Sequence, residues 1–219
     1  SDGPGPAPRK VQPCGHTATI ETHRQYQQTQ IITMAFDRNG STALLVTLRR
    51  ENRQQSGFGE AFVPPDLDTA YDVADDVARA LGWAPVGWKI AAIKPRMQKA
   101  LRTDRPIYGR VYAPFLHASP YAFGERPLLH PIAEMEIVAR LGAALPARPE
   151  PYTNKEVADT VASMHPGLEI AECRFVHDEA FPPLSAVIAD GCGSGSIVYG
   201  EAIENWRERD ISSEHVQLY

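Results

Sequence analysis

Six short apolar segments between residues 86 and 200 limit the possible folds of this chain more than any other feature. Each is rich in Val, Ile, Leu or aromatic residues and is short enough for a β-strand. They do not alternate regularly with helical patterns, as a doubly wound parallel sheet would require. The sequence therefore predicts an α+β fold with a β-rich core. The six segments are residues 86–93, 107–113, 134–141, 168–175, 184–190 and 195–200.

Apolar residues recur at helical spacing in three other segments. The first helix is expected to begin at Asp37 or Ser41, the second at Asp66 or Asp68, and the third at Thr153, which opens the capping box TNKE. Gly82 and Pro166 are expected to end the second and third helices. The apolar positions are Leu44, Leu45 and Leu48; Ala70, Val73, Ala74, Val77, Ala78 and Leu81; and Val157, Val161 and Met164.

The composition predicts three regions. Residues 1–33 are rich in Gly, Pro, Gln and Thr and have no apolar period, so we expect a flexible extension. Residues 34–84 form a helical region, with Met34 as a candidate natural start, and residues 85–219 form a β-rich metal-binding domain. No apolar run approaches the roughly 18 residues of a membrane span, and no export signal is recognisable, so a cytoplasmic protein is expected.

Charge and cysteine content exclude several classes of partner. The net charge is -5 and Lys and Arg are scattered, so neither a nucleic acid nor a membrane surface is an expected partner. The three cysteines, Cys14, Cys173 and Cys192, have no paired spacing. We therefore expect reduced thiols and neither a disulfide framework nor a thiolate zinc site.

The segment AEMEIVARL places Glu134 and Glu136 in an apolar run. In a strand these carboxylates share one face, about 7 Å apart, while Met135, Ile137, Ala139 and Leu141 fill the opposite, core-like face. Two partly desolvated anions repel each other unless a cation lies between them, and Mg²⁺, Mn²⁺ and Ca²⁺ prefer carboxylate oxygens. The alternative is a solvated face with Arg140 as the counter-ion.

A third carboxylate lies in the segment LEIAECRF. Glu169 is flanked by Leu168 and Ile170 and could complete a set of oxygen ligands. Glu172 falls on the opposite face of the strand, so it cannot easily serve the same ion. We assign Glu169 to the metal and expect Glu172 to be a surface residue or to pair with Arg174.

Lys89 lies in the segment VGWKIAAI on a face of small residues, with Gly87 and Ala91. The other face is bulky and carries Trp88. If the small face borders a cavity, the ammonium group can hold an anionic substrate oxygen or exchange a proton. An exposed lysine on a solvated strand face explains the spacing equally well.

Four stretches resemble, in this order, the hydratase/decarboxylase branch of the fumarylacetoacetate hydrolase superfamily. They lie between about Phe58 and Gly200 and read VPPDLDTAYDVADDVARALGWAPVGWKIAAIKPRMQKALRTDRPIYGRVYAP, EMEI, GLEIAECRF and ADGCGSG. The resemblance implies a mixed β-sandwich or roll core with a small helical N-terminal part. It also implies a lyase that acts on a short 2-oxo acid, as in meta-cleavage catabolism of aromatic compounds.

The resemblance further implies Mg²⁺ or Mn²⁺ as the cofactor and assigns roles to individual residues. The metal ligands would be Glu134, Glu136 and Glu169. Lys89 and Ser194 would be catalytic, and Leu101 and Asp190 would contact the substrate. A homo-oligomer is expected, and a hydratase/decarboxylase pairing is the second expectation for a protein partner.

Three positions depart from the family pattern. Ile107 replaces an aspartate that handles protons, Ala74 replaces a glutamine, and Gly191 replaces an asparagine. These changes suggest a divergent subgroup with a different or larger substrate. His117 has no evident partner in the sequence and is expected to be a loop or packing residue, with a substrate contact as the alternative.

Members of the family continue for several dozen residues beyond the point where this chain ends in HVQLY. The chain is therefore expected to be short at its C-terminus. Our first hypothesis is a hydratase, with a 2-oxo-3-hexenedioate-type decarboxylase as the alternative. The second hypothesis is a truncated, catalytically silent member that acts through oligomerisation.

Overall fold

The structure is a computed structural model that describes residues 35–213. The extension predicted for residues 1–33, Cys14 and the segment HVQLY lie outside the described residues. Among these residues, five α-helices and six strands follow one another as α1 (Arg38–Arg50), α2 (Leu67–Leu81), β1 (Pro85–Ala91), α3 (Pro95–Leu101), β2 (Ile107–Tyr112), β3 (Leu116–Ala118), β4 (Ile132–Leu141), α4 (Asn154–Thr160), β5 (Val161–Ala171), α5 (Leu184–Ala189) and β6 (Ser196–Tyr199). This mixed α+β order, with two helices before the first strand, confirms the predicted fold class.

The first two helices begin at predicted capping residues, and the second ends at the predicted glycine. The side chain of Asp37 accepts a hydrogen bond from the backbone N–H of Gly40, which satisfies a free donor of the first turn of α1. Asp66 does the same for Thr69 at the start of α2. Gly82 ends α2 in the left-handed conformation, with φ at 68°. Asp37 and Asp66 are therefore the caps, rather than Ser41 and Asp68.

The hydrophobic core lies where α1 and α2 pack with α5. Leu45, Val73, Phe175 and Ile188 have no exposed surface, and Val77 is 2% exposed. Burial of each such side chain contributes about 1.5–3 kcal/mol to folding. This core supports the strands on which the candidate site is built.

The strands form two sheets. β1 and β2 pair antiparallel, and the larger sheet has the order β3-β6-β5-β4. β4 and β6 both run antiparallel to β5, and β3 runs parallel to β6. Among the described residues, β4 is therefore an outer strand with β5 as its only hydrogen-bonded neighbour.

The prediction of a strand at residues 184–190 is wrong, because this segment forms helix α5. Pro183 occupies the N-cap, and four of the six helical residues are buried. The hydroxyl of Ser185 donates to the backbone oxygen of Pro64, 2.8 Å away, which fixes the helix against the loop before α2. A short buried helix and a buried strand give the same continuous apolar run.

The third predicted helix is shorter than expected. The capping box of Thr153 and Glu156 is present, but α4 ends at Thr160. Val161, Met164 and Pro166 lie in β5, where they pair with β4 instead of forming a helical stripe. The stabilisation from pairing with β4 along the whole strand is larger than the local helical preference of these few residues. Helix α3 and the short strand β3 were not predicted.

The apolar face of β4 was predicted to be a core face, and this prediction is wrong. Met135, Ile137 and Leu141 are 40%, 38% and 49% exposed, so their face is not a core face within this chain. The face with the glutamates is partly covered, since Glu134 and Val138 are half-buried while Glu136 is exposed. On β1 the bulky face is also exposed, since Trp88 is 54% exposed. No helix among residues 35–213 is long and apolar enough to cross a membrane.

Candidate metal centre

Three carboxylates meet on one face of the β4–β5 ladder. Glu134 lies directly opposite Glu169, and Glu136 is two residues further along β4, so all three share that face. One oxygen atom from each side chain lies within 4.8 Å of the other two. The sequence predicted this triad as the metal site, and the structure brings the three side chains together.

Gly167 makes room beside Glu136, its partner in the ladder. A Cβ atom at this position would meet a methyl group of Val138 at 2.7 Å and the Cβ of Glu136 at 3.7 Å. Any larger residue would thus force the side chain of Val138 to shift. Gly167 was not predicted as part of the site, although a glycine inside a strand pattern often marks such a close approach.

Lys89 reaches the triad from the smaller sheet. Its side chain is 8% exposed, and its Nζ lies 3.5 Å from Oε1 of Glu169. Lys89 pairs with Gly109 across β1 and β2, and a Cβ at Gly109 would overlap the backbone oxygen of Gly191. Of the two alternatives for Lys89, the structure therefore shows the buried one, beside the carboxylates.

The electrostatics of the site favour a cation. Burial raises the pKa of Glu169, and the nearby Glu134 and Glu136 raise it further against the lowering effect of Lys89. Burial and Glu134 also raise the pKa of Glu136. Oε1 of Glu169 lies 3.5 Å from the Lys89 ammonium and accepts no shorter hydrogen bond among residues 35–213, although a buried carboxylate oxygen normally has a close partner. Three hard oxygen donors with an unsatisfied buried oxygen fit Mg²⁺ or a similar divalent ion.

These pKa shifts predict how metal binding depends on pH. A carboxyl group with a raised pKa in the folded state stabilises the metal-free protein below its unfolded pKa of about 4.3, and that contribution is lost as the pH rises through the folded value. Mg²⁺ binds the ionised carboxylates, so at one fixed Mg²⁺ concentration the rise in melting temperature should be larger at pH 7.5 than at pH 5. Differential scanning fluorimetry with and without Mg²⁺ measures this. An equal shift at both pH values would contradict it.

The turn that carries Ser194 lies against β2. Its hydroxyl donates to the backbone oxygen of Arg110 at 2.8 Å, one residue from Gly109. The side chain is 5% exposed. The structure thus places Ser194 close to the partner strand of Lys89, with its hydrogen directed to the backbone. Its catalytic role remains a prediction.

Asp190 was predicted to contact the substrate, but the structure gives its carboxylate other partners. The side chain is fully buried, with Oδ1 2.9 Å from Nε of Arg49, and Oδ2 accepts from the backbone N–H of Arg174 at 3.0 Å. Arg49 also donates to the backbone oxygen of Asp190. Asp190 therefore anchors the turn that leads to Ser194. Leu101, the other predicted contact, packs against the hydrophobic core at the end of α3.

The prediction of Glu172 as a surface residue or a partner of the Arg174 side chain is wrong. Glu172 is 1% exposed. Its carboxylate accepts from the backbone N–H of Leu129 at 2.6 Å and from Arg126 at 3.0 Å. Arg174 instead donates to the backbone oxygen of Glu172, at 2.5 Å. Glu172 thus attaches the loop before β4 to the strand that carries Glu169.

The remaining predicted side chains have packing roles in the described part of the chain. His117 stacks on Tyr121 with ring centres 3.6 Å apart, as expected for a packing residue. Cys173 and Cys192 are free thiols. Burial raises the pKa of Cys173 to about 12 and that of Cys192 to about 11, so both remain protonated.

Comparison with solved structures supports the fold. The 4-oxalocrotonate decarboxylase from Pseudomonas putida G7, complexed with magnesium and adipate, superposes with a TM-score of 0.65 at 20% identity, covering 81% of this chain and 68% of that one. The same enzyme complexed with calcium and acetate gives a TM-score of 0.67 with the same identity and coverage. No protein-family model and no curated protein matches the sequence. The chain therefore has the fold of 4-oxalocrotonate decarboxylase, as the resemblance of its motifs implied.

Proposed function

We propose that the protein is a divalent-metal-dependent lyase that acts on a short 2-oxo acid. The observation that carries this proposal is the convergence of Glu134, Glu136 and Glu169 with Lys89, whose ammonium nitrogen lies 3.5 Å from Glu169. The similar solved structures hold magnesium with adipate and calcium with acetate. A divalent ion together with a carboxylic acid fits the same combination of groups here.

Each residue of the centre has a role that follows from its position. The three glutamates would hold Mg²⁺ or Mn²⁺, and Lys89 would neutralise part of their charge. A bound ion would supply Lewis-acid stabilisation to the negative charge that develops on the oxygen of the 2-oxo group. Lys89 is positioned to donate a hydrogen bond to an anionic substrate oxygen, and its burial strengthens that bond. The same ammonium group could return a proton to the substrate carbon chain.

Hydration and decarboxylation are the two candidate reactions. The motif resemblance led us to expect a hydratase, which adds water to a carbon–carbon double bond of a 2-hydroxydienoic acid. The two similar solved structures compared above are both of one decarboxylase, and this observation favours the loss of a remote carboxylate as carbon dioxide. Both reactions pass through an enolate, so the same glutamates and Lys89 could serve either one.

Incubation with two acids tests the proposal. With Mg²⁺ present, we expect turnover of either 2-hydroxypentadienoate or 2-oxo-3-hexenedioate, and loss of that turnover when the metal is chelated with EDTA. Carbon dioxide release from the second acid would identify a decarboxylase, and hydration of the first would identify a hydratase. If the purified protein turns over neither acid and Mg²⁺ does not stabilise it, the silent-member hypothesis stands and the lyase proposal fails.

A Lys89→Met variant tests the role of Lys89 in catalysis separately from metal binding. The variant removes a positive charge beside the carboxylates, so Mg²⁺ should stabilise it at least as strongly as the unchanged protein. Its turnover should fall by about a hundredfold or more, since general acid–base groups contribute at least this much. Normal turnover in this variant would remove Lys89 from the mechanism.

A further inference from the structure

The free side of β4 is a long stretch of strand backbone without a neighbour among residues 35–213. β4 has 10 residues, and β5 is its only pairing strand in that range. The free side of an outer strand presents backbone donors and acceptors to which another strand can pair. Proteins commonly block such an edge with proline or lysine, and β4 contains neither. The backbone of β4 can therefore accept a further strand.

The apolar side chains of β4 also favour a further strand. Met135, Ile137 and Leu141 are exposed, and all three lie on the face opposite the glutamates. In an antiparallel pair, side chains that lie opposite each other on one face are in contact and stabilise the pairing. A second apolar strand along β4 would thus cover the flanks of these side chains.

Arg140 is the only cation of β4 and lies on the same face as Glu134 and Glu136. It is exposed, and no ion pair joins it to a carboxylate among residues 35–213. The role of counter-ion that the sequence suggested for Arg140 is therefore not seen within one chain. A neighbouring strand with a carboxylate in the right register would supply the missing partner.

β4 of a second copy is such a strand. In a two-fold symmetric pair, if residue i lies opposite residue j, then residue j also lies opposite residue i. With Ile137 on the two-fold axis, antiparallel pairing joins residues 133–141 of the two copies. Arg140 then lies opposite the partner's Glu134, and this pair of opposite charges occurs twice. Opposed residues share a face of the sheet, so the charged faces adjoin each other and so do the apolar faces.

Other registers are less complementary. An axis at Glu136 would oppose two glutamates, and an axis at Arg140 would oppose two arginines, which destabilises a strand pair. An axis at Val138 would place Arg140 opposite Glu136 but would pair only residues 135–141. The axis at Ile137 therefore combines opposite charges with the longest ladder.

We propose that the protein forms a two-fold symmetric dimer in which β4 pairs antiparallel with β4 of a second copy, with Ile137 on the axis. Glu134 lies opposite Glu169 within its own chain, so the partner's Arg140 is placed beside the metal centre. Each subunit thus supplies a cation next to the carboxylates of the other. This inference concerns assembly and does not depend on the reaction proposed above.

Cysteine cross-linking tests the register. In Ile137→Cys the two thiols would face each other across the axis, with Cα atoms about 4.5–5.5 Å apart, which suits a disulfide. Diamide, which oxidises two thiols to one disulfide, should therefore give a covalent dimer. Met135→Cys is the matched control, because Met135 lies on the same face and is 40% exposed, against 38% for Ile137. It should give at least about tenfold less covalent dimer, since its two Cα atoms would be roughly 14 Å apart.

Charge reversal tests the ion pairs, with sedimentation velocity as the measurement. The unchanged protein should sediment as a dimer, with twice the chain mass of 24.1 kDa. Glu134→Arg and Arg140→Glu each place like charges opposite each other twice, so each should raise the Kd of the dimer at least about tenfold. An equimolar mixture of the two variants restores both pairs of opposite charges. It should form a heterodimer as tightly as the unchanged protein dimerises, which would also show that both variants are folded.

Lys155→Glu is the matched control for charge. It reverses an exposed charge on α4, where Lys155 pairs with Asp159, and should leave the dimer intact. A monomeric unchanged protein would overturn the inference, and so would equal cross-linking of Ile137→Cys and Met135→Cys. A mixture of Glu134→Arg and Arg140→Glu that dimerises no better than either variant alone would also contradict it. These measurements need neither metal nor substrate, so their failure would leave the proposed function standing.

Discussion

A Glu169→Gln variant should lose both the Mg²⁺-dependent rise in melting temperature and nearly all turnover. Glu169 is the most buried of the three carboxylates, at 3% exposed, and is the only one on β5. The amide keeps the size of the side chain but removes its charge and replaces one oxygen with a donor nitrogen. Metal assistance contributes several kcal/mol to catalysis, so we expect turnover to fall by about a thousandfold or more.

The metal-free form of this variant shows whether folding is affected. Its stability should equal or exceed that of the unchanged protein at pH 7.5, because the substitution removes a buried charge whose pKa is raised by burial and by Glu134 and Glu136. Glu60→Gln, in an exposed turn, is the matched control and should keep the full response to Mg²⁺. A Glu169→Gln protein that retains the Mg²⁺ shift would refute the assignment of the metal centre.

An Asp190→Ala variant should lose about 3–5 kcal/mol of unfolding free energy, because it leaves the charge of Arg49 buried without its partner. The side chains of Arg49 and Asp190 are 4% and 0% exposed. The backbone N–H of Arg174 loses its acceptor as well. For a protein of this size the loss corresponds to a fall of about 10 °C in melting temperature. Urea unfolding followed by circular dichroism measures the difference.

The control for this variant is an exposed ion pair. Asp159→Ala removes the partner of Lys155, and these side chains are 64% and 84% exposed. Exposed pairs between residues i and i+4 on a helix contribute about 0.3–0.5 kcal/mol. If Asp190→Ala destabilises the protein no more than Asp159→Ala does, the buried pair does not hold the turn in place.

That Glu134 and Glu136 lie together could be predicted because strand periodicity is a local property. Two glutamates at positions i and i+2 of an apolar segment must share a face, whichever strand becomes the neighbour. That Glu169 lies directly opposite Glu134 depends on the β4–β5 register, which the spacing of one segment does not determine. The apolar segment around Glu169 offered it as the third carboxylate, and the family resemblance then implied the same residue.

The roles of buried charged residues could not be predicted in the same way. Arg49 and Asp190 are 141 positions apart in the chain and meet only because α1 and α5 both pack against α2. Nothing local to Asp190 distinguishes a substrate contact from an anchor for a turn. The prediction that the apolar face of β4 lies in the core was wrong for a related reason. An alternating pattern separates the two faces of a strand but does not determine which face the rest of the chain covers.

The position of β4 in the larger sheet has a consequence for how tightly the centre can hold an ion. Two of the three carboxylates belong to β4, which has no second neighbour among residues 35–213 to restrain it, whereas Glu169 lies on an inner strand. Binding of an ion must therefore restrict the motion of β4, and this loss of conformational entropy lowers the affinity for the ion. A strand added along the free side of β4 would remove part of that entropic penalty in advance, so assembly there would strengthen ion binding without contributing a ligand.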